Sequence, residues 1–171
     1  MKKINCILTS TLIIISLYSC RKIENYSEIP EISFNNIFVT DSVDVLNNRT
    51  KVVELSFIVI DGNGDIGLKE SDTIGPYNKD SIYYYNLFIK EFEKIGDNFY
   101  EVSNKFPRNY RVPYLTPEGQ NKNLKANIKV NIEYSYNDRN PLPFNIFKYE
   151  FFLVDRQLQH SNIDTSSTIF F

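Results

Sequence analysis

From Leu124 to Tyr136 the sequence alternates without interruption. Leu124, Ala126, Ile128, Val130, Ile132, Tyr134 and Tyr136 are apolar or aromatic, and the residues between them, Lys125, Asn127, Lys129, Asn131, Glu133 and Ser135, are polar. On a helix this period would scatter polar groups around the circumference, whereas on a strand it sorts the two kinds onto opposite faces. Such a strand belongs in an antiparallel sheet with one solvated face. The rest of the chain must then supply partner strands and a second layer to cover the apolar side.

The same period recurs in Val52–Ile60, where Val53, Leu55, Phe57 and Val59 lie opposite Glu54 and Ser56. It appears again in Ile82–Lys90, with Tyr83, Tyr85, Leu87 and Ile89 on one side, and Ile32–Val39 is a further candidate strand. Gly96-Asp97-Asn98 reads as a turn into Phe99–Val102, which makes a hairpin with the strand before it. Pro107, Pro113 and Pro117, followed by Gly119, break any long element between Lys105 and Asn123. That stretch reads as an extended connection along a sheet edge, with room for one short strand. Tyr149–Val154 is apolar apart from Glu150, as a central strand covered on both faces would be, and Thr165–Phe171 reads as a closing strand. Strands at these intervals and no amphipathic helix predict an all-β domain over residues 31–171, an antiparallel two-sheet sandwich of immunoglobulin-like or transthyretin-like kind.

The segment before this domain reads as an address. Lys2 and Lys3 precede an apolar run, Ile7–Leu17, that is too short to span a bilayer. The stretch Leu17-Tyr18-Ser19-Cys20 that closes it resembles a bacterial lipoprotein lipobox. The reading is a signal peptide over residues 1–19, a lipid anchor on Cys20 and a polar tether to residue 30. Diacylglycerol and acyl chains on Cys20 would hold the domain on a membrane. Cys6 would leave with the signal and Cys20 would carry lipid, so the domain has no thiol for a disulfide or for catalysis. Its core must stabilise it alone, and a chain of this length can bury roughly 70% of its unfolded surface. Loss of Lys2 and Lys3 takes the formal charge from −2 to −4. This acidic balance gives no basic groove and excludes nucleic acid as a partner.

The acidic residues concentrate in Asp61-Gly62-Asn63-Gly64-Asp65-Ile66-Gly67-Leu68-Lys69-Glu70-Ser71-Asp72. Oxygen-bearing side chains stand at loop positions 1, 3, 5 and 12, a calcium-ligand spacing. On this reading Asp61, Asn63 and Asp65 ligate through side chains, and the Gly67 carbonyl and the Asp72 carboxylate complete the shell with water. Ile66 stands where an EF-hand loop has glycine, Asp72 replaces its glutamate, and a strand rather than a helix precedes the loop. The competing reading takes Asp61-Gly62 and Asn63-Gly64 as turn dipeptides whose side chains satisfy local backbone groups.

The loop also carries a resemblance. With Asn63 at its third position, it is similar to the Asp-Gly-Asp-Gly-Asp-Ile-Gly stretch of small Bacteroidota outer-membrane lipoproteins. The likeness extends to Arg111-Val112-Pro113-Tyr114-Leu115-Thr116-Pro117-Glu118-Gly119, to the alternating strand after it, and to Tyr149 through Asp155-Arg156 with Ser161-Asn162. It implies a β-sandwich lipoprotein at the outer membrane and brings no activity with it.

Catalytic signals are sparse. The single histidine, His160, sits in a polar segment and reads as a solvated loop residue; no Gly-x-Ser-x-Gly elbow is present. In a chain without tryptophan, the dense Tyr and Phe groups read mainly as core, with Tyr84 and Tyr110 as the rings whose exposure matters for sugar binding. The expectation is a non-catalytic, lipid-anchored module at the outer membrane that binds or scaffolds a protein or glycan partner, with a calcium-stabilised loop. A surface glycan-binding accessory protein and a hydrolase with an unrecognised site are the alternatives.

Overall fold

The computed structural model describes residues 26–103, 107–117 and 122–171. The signal segment, Cys20, most of the tether, Glu118 and Gly119 lie outside the described residues.

Among the described residues, nine strands form two antiparallel sheets. They are β1 (Glu31–Val43), β2 (Arg49–Asp61), β3 (Leu87–Ile95), β4 (Asn98–Glu101), β5 (Arg108–Tyr110), β6 (Leu124–Tyr136), β7 (Ile146–Leu153), β8 (Asp164–Thr165) and β9 (Ile169–Phe170). The first sheet runs β1-β2-β6, with unbroken β2–β6 register from Arg49 opposite Tyr136 to Asp61 opposite Leu124. The second runs β4-β3-β7-β8, with β5 also on β3 and β9 also on β7. The sandwich follows from period-two burial. Val53, Leu55, Phe57 and Val59 of β2 and Phe147, Tyr149, Phe151 and Leu153 of β7 are all fully buried, and the Phe57 and Phe151 rings meet at 5.2 Å.

The alternating segment is strand β6 over its whole length, buried and exposed in the order its sequence predicts. The predicted hairpin is present, with Ile95 opposite Asn98 around Gly96 at φ 61°. The proline-rich connection carries the short strand β5 along the edge of β3.

Three expectations are corrected. The strand predicted from Ile82 starts at Leu87, and Ile82–Tyr84 forms a 3-10 turn capped by Ser81, whose Oγ accepts from the Tyr83 N–H at 3.1 Å. The register breaks at buried Asn86, whose side chain accepts from the Val112 N–H at 2.6 Å and donates to its carbonyl at 3.3 Å. β7 is covered on one face only, because its outward residues, including Phe152, are half-buried. The closing segment is two short strands, since the Tyr149 N–H donates to Ser166 Oγ at 2.9 Å where a longer ladder would have offered a carbonyl.

Two polar devices join the sheets. The Asn162 side chain accepts from the Ile32 N–H at 2.8 Å and donates to the Ile32 carbonyl at 3.0 Å, and Asp164 accepts from the Phe34 N–H, so the last segment holds the open edge of β1. Deeper in, Glu91 is 2% exposed and accepts from Tyr134 Oη and, at 3.1 Å, from Arg108 Nε, while Tyr134 and Tyr149 join hydroxyls at 2.7 Å. Burial raises both tyrosine pKa values, which keeps the hydroxyls protonated and donating.

Candidate functional site

The inward row of β2, Val53-Leu55-Phe57-Val59, continues one step further to Asp61. The inward row of β7, Phe147-Tyr149-Phe151-Leu153, continues past the strand to Asp155. Both rows run along strands in the interior of facing sheets. The apolar core therefore ends, at one end of the sandwich, in two carboxylates 0% and 1% exposed.

Each carboxylate uses one oxygen to build its own turn. Asp61 Oδ2 accepts from the Asp65 N–H at 3.0 Å, and Asp155 Oδ1 accepts from the N–H groups of Gln157 and Gln159, both at 2.8 Å. The other oxygen of each, Asp61 Oδ1 and Asp155 Oδ2, is buried without a hydrogen-bond partner, as are Asp65 Oδ1 and Gln159 Oε1. Asn63 turns its Oδ1 toward the Asp65 N–H at 3.3 Å and leaves Nδ2 unpaired. The Asp65 carbonyl accepts from the Arg156 N–H at 3.2 Å, which links the two turns. Burial pushes the Asp61 carboxyl up to about 6, and repulsion from Asp65 and Asp155 adds to the rise. Asp155 is likewise pushed up to about 6 by burial, with repulsion from Asp65, and Asp65 is raised chiefly by burial.

The loop is tightly seated. The Gly62 N–H donates to the Ser27 carbonyl at 2.7 Å, and Ile66, at the position where an EF-hand needs glycine, is fully buried in the core. Gly67 has φ 89°, and a Cβ there would lie 2.1 Å from the Pro113 carbonyl oxygen. Of the five residues predicted as cation ligands, Asp61, Asn63 and Asp65 are brought together. Gly67 packs on Pro113. Asp72 stands apart, accepting from the Lys69 N–H at 2.9 Å and pairing with Arg156, which holds its carboxyl below the usual range. Asp155 and Gln159 lie outside the predicted ligand set, because the run Phe151-Phe152-Leu153-Val154 is apolar on both faces and only the folded strand shows that Asp155 continues its inward row. Among the described residues, no group of three or more His, Cys, Asp or Glu side chains is placed so that it could hold a metal ion.

Two arginines fold the long connection between β2 and β3 over this end. Arg111 donates to the carbonyls of Tyr84, Lys69 and Asp72, each at 2.7 Å, and lies over the Tyr84 ring. Arg156 holds Asp72, lies over Tyr114 and accepts at its carbonyl from Tyr77 Oη.

On the outer face of the second sheet, Phe152 stacks on Phe88 at 4.9 Å and on His160 at 5.3 Å. His160 is exposed and also meets Tyr83 Oη at 3.4 Å. Tyr84 and Tyr110 are half-buried. Among the described residues no helix is long and apolar enough to cross a membrane. No family model, curated protein or solved structure matches the chain.

Proposed function

We propose that the chain is a non-catalytic, lipid-anchored module of the bacterial outer membrane, of the Bacteroidota lipoprotein kind its motifs resemble, whose sandwich binds or scaffolds a partner. The observation that carries the binding role is the β1–β2 hairpin tip. Asp44 Oδ1 accepts from the N–H groups of Leu46 and Asn48 at 2.9 and 2.8 Å, its Oδ2 accepts from Asn48 Nδ2 at 2.8 Å, and Asn47 takes φ 63°. This fixed turn displays Val45 fully exposed and Leu46 79% exposed. A rigid turn that offers two adjacent apolar side chains to water contributes nothing to the core and suits insertion into a partner's groove.

Calcium at Asp61, Asn63 and Asp65 would stiffen the opposite end, supported by the unpartnered buried oxygens of the two aspartates. In-cell crosslinking with mass spectrometry tests the binding role: a stoichiometric protein captured through the Val43–Leu46 tip supports it, and capture of glycan alone replaces it with the sugar-binding reading. That second reading would use the row Phe88, Phe152 and His160, whose rings stack on one another. Palmitate labelling that survives Cys20→Ser would remove the anchor from the account.

A further inference from the structure

We infer that the cation held by the Asp61–Asp65 loop is completed from the opposite sheet by Asp155 and Gln159, so that one calcium ion ties the end of β2 to the turn after β7. The inference rests on the cation reading of the loop proposed above.

Four acceptor oxygens on two separate segments are buried with no donor: Asp61 Oδ1 and Asp65 Oδ1 on one, Asp155 Oδ2 and Gln159 Oε1 on the other. A buried acceptor without a donor is costly, and three of these four belong to carboxylates that also repel one another. Water can supply hydrogen bonds but leaves the charge in place; a cation answers both needs. The nearby positive side chain is committed elsewhere, since the Arg156 guanidinium pairs with Asp72 and lies over Tyr114. Turn-building alone does not call for these residues, because each aspartate builds its turn with one oxygen, which an asparagine carbonyl would do without a charge. The division of labour is the same in both turns, one oxygen for the backbone and one left over.

The donor set selects the ion. Every available group is a carboxylate or amide oxygen, and no sulfur or imidazole takes part, which favours a hard cation. Calcium accepts six to eight oxygens in irregular shells, so three carboxylates, the Gln159 carbonyl and water suit it. Magnesium, which demands near-ideal octahedral geometry, suits this arrangement less. Binding would require the Asp155 and Gln159 side chains to close on the ion together with Asp61 and Asp65, since as they stand the carboxylates do not form a metal-holding group. Asp155 adjoins Arg156, whose side chain grips Asp72 and whose carbonyl takes the Tyr77 hydroxyl, so the same ion stiffens the long β2–β3 connection.

The test uses the full chain in detergent, stripped with a chelator and titrated with calcium chloride by calorimetry, together with hydrogen exchange read by mass spectrometry. The wild type is expected to bind one ion, and Asp155→Asn, which keeps the turn-building acceptor, to weaken binding at least tenfold, with Asp72→Asn unchanged within twofold. Calcium is expected to slow exchange in residues 155–159 as well as in 61–65. Binding by Asp155→Asn equal to wild type, or protection confined to 61–65, overturns the inference and leaves the loop reading standing. No binding by the wild type at millimolar calcium overturns both. If Asp155→Asn fails to fold, the exchange pattern of the wild type decides alone.

Discussion

At the scale of single residues, the core is unusual in holding a charge. Glu91 occupies the inward row of β3 after Leu87 and Ile89, and Arg108 reaches it from β5 with its guanidinium over the Tyr134 ring at 4.4 Å. Removing one partner strands a buried charge, so Arg108→Met is expected to cost about 3 kcal/mol in urea denaturation. Replacing both, as Glu91→Met with Arg108→Met, is expected to cost less than the single change, because the pair's desolvation is removed together. A single change costing under about 1 kcal/mol would show that the pair carries little stability. Asp61 and Asp155 make the opposite kind of prediction. Their folded pKa values, about 6, lie above the ordinary carboxylate value of 3.8, so the folded state holds protons more tightly than the unfolded one. The stability they contribute is full below about pH 4 and is lost as pH rises through 6. In chelator, the melting temperature is expected to fall across that window, and Asp61→Asn with Asp155→Asn to flatten the fall. A wild-type melting temperature that rises there would contradict the assigned burial.

At the scale of elements, the glycines distinguish a packed loop from a free turn. Gly67 and Gly96 both have positive φ, 89° and 61°, but a Cβ at Gly67 meets backbone at 2.1 Å whereas nothing lies within 4 Å of one at Gly96. Gly96→Ala is therefore expected to cost about 1 kcal/mol, the left-handed strain alone. Gly67→Ala must also push Pro113 away and is expected to cost at least about 2 kcal/mol, measured by chemical denaturation. Equal costs would mean that the close approach of the two segments is not rigid. Strand β6 was fully legible because its period-two pattern is a local property of thirteen residues. The start of β3 was not. Tyr83 and Tyr85 continue the alternation upstream, but Asn86 makes its bonds to Val112, a residue 26 positions away that no local pattern reveals.

At the scale of the whole molecule, the two ends differ. Glu31 opens β1 opposite Ile60, so the chain enters the sandwich at the end that carries Asp61 and Asp155, while the Val45–Leu46 tip lies at the far end of thirteen-residue strands, ~40 Å away. Val45→Ser with Leu46→Ser is expected to change stability by no more than about 0.5 kcal/mol and to abolish crosslinks through the tip. Retained crosslinks would move the binding surface elsewhere. The sequence alone determined the all-β class, the strands whose faces alternate and the acidic loop, because each is written in side-chain periods and spacings between near neighbours. Only the tertiary structure decided which carboxylates meet. Asp72 lies eleven residues from Asp61 and pairs with Arg156 instead. Asp155, ninety-four residues from Asp61, ends the facing inward row at the same end of the core, close enough for its charge to raise the Asp61 pKa. Two sheets must pack before their ends can coincide, and that coincidence is a property of sheet pairing rather than of any local stretch of chain.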